Sequence, residues 1–236
     1  MFDDGLSIII PFYNETSRLD INKNMASIIS YLKDCDNFEL ILINDCSQDN
    51  TLEVLKEFNS LPFCKVFTNV KNYGKGYSIR KGILEASYNN ILYMDADLSV
   101  PIDNIKKFYT LLDDKTCVIA SRYLHGSKIV NKRSFIRNFM SWFSRVILLK
   151  ICGLKISDSQ CGFKMFKKDS SLYLENFKTT RWLFDLELLR HLKYKKYKII
   201  EIPIVWNNCE ESTLKSKDAI ISSLKELIAI LTKKEV

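Results

Sequence analysis

Five apolar runs mark the first half of the chain, and polar or glycine-containing residues follow each of them. They cover residues 6–14, 38–45, 64–69, 90–97 and 117–123. Runs that are apolar at consecutive positions are typical of strands buried on both faces, as parallel strands are. Between the runs, apolar residues recur at helical spacing over 16–34, 51–58, 76–87 and 102–114. This alternation predicts an α/β fold with a doubly wound, mostly parallel sheet flanked by helices.

Polar residues close these strands at one edge of the predicted sheet. Ligands of doubly wound sheets bind in the crevice beyond the carboxyl ends of the strands. The side chains expected at that edge are Asn14, Glu15, Asp45, Asp95, Asp97 and Arg122. The sequence therefore indicates a candidate site there.

Asp95 and Asp97 form the strongest local signal, because they directly follow the apolar residues 91–94. In an extended chain, residues i and i+2 point to the same side, so both carboxylates are expected to project into the crevice. Two close carboxylates repel each other unless a cation lies between them. Oxygen ligands of this kind suit Mg²⁺ or Mn²⁺ and the phosphates that accompany such ions. The alternative is a simple turn, since Ser99 and Pro101 follow.

Two further signals flank the second predicted helix. Asp45 ends the second strand, where a carboxylate can accept hydrogen bonds from a ribose or a base. The alternative is a helix cap, although Ser47 and Asp49 can also fill that role. The GKG sequence at 74–76 opens the third helix, and a glycine turn at a helix N-terminus binds anions. Lys75 adds a positive charge, so we expect an anion site at this turn.

Positive charge is concentrated in one segment of the chain. The net charge is +7, from 35 basic and 28 acidic residues. Residues 122–168 contain eleven Lys or Arg and one acid, Asp158, so this segment carries +10, which favours an anionic partner. One alternative is a solvated basic face, and another is nucleic-acid binding. No zinc-finger or RNP-like sequence accompanies the charge, so we expect no nucleic-acid partner.

Cysteine usage indicates a reducing compartment, and hydropathy indicates neither a signal peptide nor a membrane span. The seven Cys form no CxxC pair, which argues against a disulfide framework and a thiolate zinc site. The N-terminal residues are acidic where a signal peptide is basic, and no apolar run reaches the roughly 18 residues of a membrane span. We expect a cytoplasmic protein, peripheral on the cytoplasmic face of a membrane.

Two amphipathic segments can serve such a membrane surface. Residues 134–154 interleave aromatic and basic side chains, as interfacial helices do. Residues 219–231 carry apolar side chains at helical spacing and are followed by Lys233 and Lys234. For both segments, burial in the core is the alternative, and the two possibilities stay open at this point.

The ordered motifs resemble those of family 2 inverting glycosyltransferases. They are SIIIPFYNE (7–15), LILINDCSQDNT (40–51), NYGKGYSIRKG (72–82), YMDADLSVP (93–101), ASRY (120–123) and DSQCGFKMF (158–166). Within that family the chain is similar to the branch of dolichyl-phosphate or polyprenyl-phosphate β-glucosyltransferases and dolichyl-phosphate mannose synthases. The W-FD-ELL sequence (182–189) is nearest the glucosyltransferases.

The resemblance implies a GT-A fold, in which a Rossmann-like sheet is followed by acceptor-side helices after the fifth strand. It also implies a single domain, 1–236. A nucleotide-binding half (about 1–123) would precede an acceptor-binding half (about 124–217) and a C-terminal amphipathic helix (218–236).

The resemblance also implies a donor site. Its residues are Pro11, Tyr13, Glu15, Asp45, Lys75, Asp95 and Gln160. By resemblance, the first three frame the nucleoside, the acid of the second strand lies near the base, and the glutamine lies near the sugar. Asp95 and Asp97 match the motif that holds Mg²⁺ or Mn²⁺ together with the diphosphate.

On the acceptor side, Arg122 matches an arginine after the fifth strand, and Arg133 or Arg137 matches the next basic position. Relatives use these residues on the acceptor phosphate. Asp185 and Glu187 stand where family members that act on hydroxyl acceptors often keep a base. The resemblance therefore implies Asp97, Arg122 and Asp185 as catalytic residues.

The chemistry of the two acceptor classes differs. A hydroxyl acceptor needs a general base, whereas a phosphate monoester, with a second pKa of about 6, is largely dianionic at neutral pH. A phosphate needs cations instead, and guanidinium groups hold it well. We expect inverting transfer of a hexose to a polyprenyl phosphate, with UDP-glucose favoured as donor by the resemblance. The alternatives are transfer to a sugar hydroxyl in surface polysaccharide synthesis and, more remotely, nucleic-acid binding.

Overall fold

The computed structural model describes residues 2–130, 149–168, 174–207 and 217–232. The strands are β1 (Leu6–Phe12), β2 (Phe38–Asn44), β3 (Cys64–Thr68), β4 (Asn90–Met94), β5 (Thr116–Ser121), β6 (Lys128–Val130), β7 (Phe163–Lys167), β8 (Lys198–Pro203) and β9 (Val205–Asn207). The helices are α1 (Ile21–Leu32), α2 (Thr51–Phe58), α3 (Lys75–Glu85), α4 (Asn104–Thr110), α5 (Phe184–Tyr194) and α6 (Lys217–Thr232), with a 3₁₀ helix at Leu174–Asn176.

The large sheet is mostly parallel and has the strand order β3-β2-β1-β4-β7-β5-β8. β1 pairs in parallel with β2 and β4, and β5 pairs in parallel with β8. β7 runs antiparallel between β4 and β5, and β6 pairs with β9 in a separate small sheet. The predicted α/β fold with a mostly parallel sheet flanked by helices is confirmed. The antiparallel strand β7 was not predicted.

The direction of β7 brings its first residues to the carboxyl end of β4. Met94 pairs with Phe163, and the backbone N–H of Asp95 donates to Gly162 O at 3.0 Å. The DSQCGF sequence therefore lies beside Asp95, at the edge of the sheet where the sequence predicted the site.

Helices cover both faces of the large sheet. α1, α2 and α4 pack on one face, which includes Ile8, and α3 and α5 pack on the other, which includes Ile9. Alternate strand residues serve the two faces, because successive side chains of a strand point in opposite directions. Gly82 of α3 lies so close to β1 that a Cβ there would be 2.4 Å from Ile9 Cγ2. Glycine therefore permits this helix to pack on the strand.

The five predicted strands and four predicted helices are confirmed, with shifted ends, and α2 has the predicted bounds. One shift affects the site. β4 ends at Met94, so the prediction that the strand continues to Asp97 was wrong. Asp97 Oδ1 accepts Ser99 N at 2.9 Å and Leu98 has a φ of 50°, which forms a turn. The six Cys that the structure describes are free thiols, as expected.

α6 lies on the face that α3 and α5 cover. Ile230 is buried in that core and Leu227 is partly buried against it, whereas Leu224, Ile228 and Leu231 are exposed. One side of α6 is thus buried in the core, as the core alternative predicts, and the other side is exposed, as contact with a membrane surface requires. Of the other amphipathic segment, 134–154, residues 134–148 lie outside the described residues. Within the described ranges, no helix has both the length and the hydropathy required to cross a bilayer.

Candidate active site

Three acidic side chains converge at the carboxyl edge of the sheet. Glu15 follows β1, and Asp95 and Asp97 follow β4, the neighbour of β1. Burial, together with the charges of Asp97 and Asp95, raises the pKa of Glu15 to about 7 against the lowering effect of Arg18. Burial and the charge of Asp95 also raise the pKa of Asp97. The structure therefore brings these three predicted residues together.

The arrangement of Asp95 and Asp97 fits a divalent cation. Mg²⁺ in a phosphate-binding site takes one or two carboxylates and completes its shell with substrate phosphates and water. The raised pKa of Asp97 means that a positive charge beside it would be stabilising. Among the described residues, no group of three or more His, Cys, Asp or Glu side chains has metal-binding geometry. A site with two carboxylates agrees with that finding, and the metal stays a prediction.

Lys75 supplies a positive charge to this cluster. Its Nζ lies 2.5 Å from Asp95 Oδ1. Burial lowers the pKa of Lys75, but Asp95 and Asp185 outweigh burial, so its pKa stays above the ordinary value. The Asp95 carboxylate also rests against Gly162, where a Cβ would be 2.0 Å from Oδ2. A charged lysine and a tightly placed aspartate thus meet at one point.

The backbone at the start of α3 has partners within the protein. Gly76 N donates to Arg181 O at 3.2 Å, and Tyr77 N donates to Thr180 O at 2.9 Å. These two N–H groups do not form the anion site that the GKG turn predicted, because the two carbonyls occupy them. The ammonium group of Lys75 is the positive charge at this end of the helix.

Asp45 is buried, with 2 % of its surface exposed, and it binds the turn that precedes α3. Its Oδ1 accepts Asn69 Nδ2 at 2.8 Å and Tyr73 N at 3.0 Å, and its Oδ2 accepts Gly74 N at 2.7 Å. Gly74 has a φ of 103°, which glycine adopts without strain. The contact of Asp45 with the base stays a prediction. Its observed contacts show that it orders this turn.

The rest of the first-strand motif lies at the same edge. Pro11 is the penultimate residue of β1, and Tyr13, which follows the strand, is exposed. The backbone N–H of Glu15 donates to Thr51 Oγ1 at 2.9 Å, which fixes the motif to the start of α2. An exposed aromatic ring two residues before a half-buried carboxyl group suits a nucleoside.

Asp185 lies in a buried ion pair next to the site. Its Oδ1 accepts hydrogen bonds from Lys164 Nζ and from Tyr93 Oη, the latter at 2.5 Å. Burial opposes ionisation, but the charges of Lys164 and Lys75 outweigh it and hold the pKa of Asp185 below its ordinary value. A buried, paired carboxylate that is hard to protonate is a weak general base. The catalytic role of Asp185 stays a prediction, and its contacts are those of a counter-ion.

Arg122 forms a bidentate ion pair with Asp158. Nε lies 2.7 Å from Oδ2 and Nη2 lies 3.0 Å from Oδ1. Burial raises the pKa of Asp158, but Arg122 outweighs it and holds this pKa below the usual range. Asp158, the one acid that the sequence analysis counted in segment 122–168, is therefore the counter-ion of Arg122. Arg133 and Arg137, the other predicted acceptor residues, lie outside the described residues.

Trp206 also lies at the site and was not among the predicted site residues. Its ring faces the Arg122 guanidinium at 5.4 Å, and it lines a small depression together with Asp95 and Gly162. The signal in the sequence was an aromatic residue at the end of EIPIVW, a pattern that suits a core strand equally well. Gln160, predicted near the sugar, is exposed two residues before Gly162.

The order of motifs and this geometry have counterparts in known proteins. A family model described as glycosyl transferase family 2 matches residues 7–172. The chain belongs to this family. The resemblance inferred from the motifs is therefore confirmed, and the nucleic-acid alternative gains no support.

Several relatives of this chain are named dolichyl-phosphate beta-glucosyltransferase. A dolichyl-phosphate beta-glucosyltransferase of Trichomonas vaginalis is 35 % identical over 89 % of this chain and 68 % of its own length. The one from Saccharomyces cerevisiae is 33 % identical over 95 % of this chain and 73 % of its own length. The human enzyme of this name is 31 % identical over 89 % of this chain and 69 % of its own length. The chain thus spans about two thirds of the length of these relatives.

Solved structures share the fold at lower identity. A mannosyltransferase from Pyrobaculum calidifontis in complex with GDP-Man and Mn²⁺ has a TM-score of 0.63 at 19 % identity, over 98 % of this chain and 65 % of that one. Glucosyl-3-phosphoglycerate synthase from Mycobacterium tuberculosis, with Mn²⁺, UDP and phosphoglyceric acid, has a TM-score of 0.65 at 16 % identity, over 95 % and 79 %. The predicted GT-A fold is confirmed.

Proposed function

We propose that this chain transfers glucose from UDP-glucose to a polyprenyl phosphate of the dolichyl type, with inversion at the anomeric carbon. The observation that carries the proposal is the cluster of Lys75, Asp95 and Asp97 after β4, where a donor diphosphate and a cation fit together. The dolichyl-phosphate beta-glucosyltransferases among the relatives support the choice of sugar and acceptor. The nucleotides in the solved structures support a nucleotide donor.

On the donor side, Asp95 and Asp97 would hold Mg²⁺ or Mn²⁺ with the diphosphate. The cation neutralises the negative charge that builds on the departing diphosphate. Lys75 binds the same group from the side of α3, because its ammonium group is charged and lies against Asp95. Tyr13 and Glu15 receive the nucleoside at the end of β1, together with Pro11.

The acceptor phosphate attacks the anomeric carbon from the face opposite the diphosphate. A phosphate oxygen forms the new bond to this carbon while the bond from the carbon to the diphosphate oxygen breaks, which inverts the configuration. The attacking dianion needs no base to remove a proton. This agrees with the contacts of Asp185, whose carboxylate is held by Lys164 and Tyr93. A hydroxyl acceptor would require a carboxylate that is able to accept a proton.

The basic segment 122–168 would receive the acceptor phosphate, with Arg122 and either Arg133 or Arg137 as its ligands. Arg122 binds Asp158 through Nε and Nη2, so Nη1 lies outside that pair. A guanidinium that is already oriented loses little freedom when it binds a phosphate oxygen. Asp158 thus orients the group that the acceptor needs.

The proposal places the protein on the cytoplasmic face of a membrane, as a peripheral protein, because the polyprenyl chain resides in the bilayer. α6 presents Leu224, Ile228 and Leu231 outward, beside the exposed Lys225. Apolar side chains next to a basic one suit the headgroup region of an anionic leaflet. This face supports a membrane-bound position for the single domain.

The test is incubation of the full chain with UDP-glucose or GDP-mannose, Mg²⁺ or Mn²⁺, and a polyprenyl phosphate, with products identified by mass. The matched control is the polyprenol that lacks the phosphate. We expect glucosyl-phosphoryl-polyprenol from UDP-glucose and no product from the alcohol. Transfer of glucose to the polyprenol, or no transfer to the polyprenyl phosphate, would overturn the proposal.

A further inference from the structure

Glu226 of α6 is a buried carboxylate that binds a loop of another part of the chain. It is 8 % exposed. Its Oε1 accepts the backbone N–H groups of Thr180 and Arg181, both at 2.8 Å, and its Oε2 accepts Leu183 N at 3.1 Å. These N–H groups belong to the loop that precedes α5, so the helix offers them no backbone acceptor. One side chain of α6 therefore satisfies three amides of the loop 180–183.

The same loop holds the start of α3. Thr180 O accepts Tyr77 N at 2.9 Å, and Arg181 O accepts Gly76 N at 3.2 Å. The residues on both sides of Lys75 pack closely against the segment 181–184. A Cβ on Gly74 would be 2.6 Å from Arg181 Cγ, and one on Gly76 would be 2.4 Å from Phe184 Cβ. The residues that flank Lys75 thus rest directly on the loop that Glu226 binds.

A single peptide group links the two contacts. The carbonyl of Thr180 and the N–H of Arg181 belong to the same planar peptide unit. The carbonyl accepts Tyr77 N, and the N–H donates to Glu226. Rotation of this plane would break both hydrogen bonds, and hydrogen bonds in series polarise and strengthen each other. The carboxylate of α6 therefore fixes the orientation of the carbonyl on which α3 begins.

We infer that Glu226 is a positioning residue for the donor site, acting through the 180–183 loop on the location of Lys75. Lys75 Nζ meets Asp95 at 2.5 Å, so a displacement of the α3 start changes the place where the ammonium group meets a diphosphate. Asp45 holds the preceding turn through Tyr73 and Gly74. The Lys75 segment is thus fixed from two sides, by Asp45 directly and by Glu226 through one peptide plane.

The part of this inference that concerns donor binding rests on the proposed function, whereas the effect of Glu226 on the loop does not. The test variant is Glu226→Gln, which retains one acceptor oxygen and replaces the other with an amide N–H₂, so the N–H groups bound to that oxygen lose their acceptor. The matched control is Glu39→Gln. Glu39 is 6 % exposed and also accepts a backbone N–H, that of Ser87 at 2.6 Å. It lies near the start of β2, about 20 Å of strand from the site.

Two measurements are made on each variant. Hydrogen–deuterium exchange reports the amides of residues 74–78, and calorimetry reports the affinity for UDP in the presence of Mn²⁺. We expect Glu226→Gln to speed exchange at 74–78 and to weaken UDP binding about ten- to a hundredfold, since loss of one charge-assisted hydrogen bond changes an affinity by about this factor. Glu39→Gln should lose comparable stability while exchange at 74–78 and UDP affinity stay within about twofold of the wild type.

The outcomes separate the inference from the proposed function. Unchanged exchange at 74–78 in Glu226→Gln, or faster exchange with UDP affinity intact, overturns the positioning role. Faster exchange in a protein whose wild type binds no nucleotide supports the effect of Glu226 on the loop and overturns the proposed function instead. If Glu226→Gln does not fold, Glu226→Asp keeps the charge on a shorter side chain. That variant should show the same two changes to a smaller extent, and wild-type values for both would overturn the inference.

Discussion

Lys75 Nζ and Asp95 Oδ1 form a 2.5 Å ion pair that joins the start of α3 to the end of β4. The pair offsets one of the two aspartates that follow β4. The pKa of Asp97 stays raised, by burial and by the charge of Asp95, so the lysine alone does not balance the negative charge of the site. An additional positive charge is therefore stabilising at this edge of the sheet, as a divalent cation with a diphosphate would provide.

Asp97→Asn should reduce transfer by at least about a hundredfold and leave the fold intact. The amide removes a charge that the cation needs, and it also removes repulsion between Asp97 and Asp95. Activity with Mn²⁺ checks the loss of transfer, and the melting temperature in excess chelator checks that the fold is intact. We expect the variant to melt no lower than the wild type. Full activity in the variant, or in wild type with excess chelator, would refute the metal role.

Gly162→Ala should weaken donor binding with little change in overall stability. A Cβ at this position would lie 2.0 Å from Asp95 Oδ2, so the carboxylate must move away from Lys75. The control is Gly153→Ala, at a residue with a φ of 65°, where strain of about 1–2 kcal/mol is expected far from the aspartates. Nucleotide affinity measured by calorimetry should fall in the first variant and hold in the second. If both variants lost nucleotide affinity to the same extent, displacement of Asp95 would not be the cause of the loss.

The strand ends could be predicted from the sequence, because long apolar runs define buried parallel strands and polar residues show where they stop. Glu15 and Asp95 were predicted in this way, and Lys75 was predicted from the glycine turn that opens α3. β7 was missed because FKMFK is short and contains two lysines, one of which, Lys164, is fully buried against Asp185. From local sequence alone, a lysine is expected to be exposed. The burial of Lys164 is explained by its ion pair with Asp185, which is distant in sequence.

The partners of the buried charges also escaped sequence reasoning. Asp158 lies 36 residues from Arg122, and Glu226 lies 45 residues from Arg181. Contacts at such separations depend on strand order, which the spacing of motifs does not specify. Asp45 shows the same limit, because its position at a strand end was predicted but its use in binding the turn at 73–74 was not.

Asp45→Asn should weaken nucleotide binding more than it slows turnover. The amide N–H₂ replaces one of the two acceptor oxygens, so either Gly74 N, or Tyr73 N together with Asn69 Nδ2, loses its acceptor. Each buried donor left without an acceptor costs about 1–3 kcal/mol. The turn before Lys75 then loses its order. Calorimetry with UDP and turnover at saturating donor separate the two effects. An unchanged affinity would show that the turn holds its shape without Asp45.

The stability of the metal-free protein should fall as the pH rises from about 4.5 to about 7, because of Glu15. Its pKa is raised from 4.5 to about 7 in the folded state, mainly by burial, so the folded state binds the proton more tightly than the unfolded state does. This contribution to stability is fully present below the unfolded pKa and is lost as the pH passes through the folded one. The full effect is about 3 kcal/mol.

Chemical unfolding in excess chelator at several pH values measures this slope. Glu15→Gln removes the titrating group, so the variant should show a flatter profile and exceed the stability of the wild type at pH 8. Glu53→Gln, on the exposed face of α2, is the control and should retain the wild-type slope. A Glu15→Gln profile parallel to the wild type would assign the pH dependence to other groups.

The acceptor side is tested by Arg122→Lys rather than Arg122→Ala. Alanine would leave Asp158 buried without a counter-ion, at a cost of about 3–5 kcal/mol, and any loss of activity would be confounded by unfolding. Lysine keeps a charge next to Asp158 and removes the planar guanidinium with its Nη1. We expect acceptor kcat/KM to fall about ten- to a hundredfold, which corresponds to one charge-assisted phosphate contact of about 1.5–3 kcal/mol. Affinity for the donor should stay nearly unchanged.

Asp185→Asn should matter much less to the chemical step, because a phosphate acceptor needs no base. The variant leaves Lys164 buried opposite an amide, so it will lose stability, and rates are compared per folded molecule at a temperature where circular dichroism shows the fold intact. Its pH–rate profile should match that of the wild type, since no proton is removed by this carboxylate. If Asp185 proves essential for turnover of the folded protein while Arg122→Lys leaves acceptor kcat/KM unchanged, the acceptor is a hydroxyl group, because only that acceptor depends on a carboxylate base and not on a guanidinium.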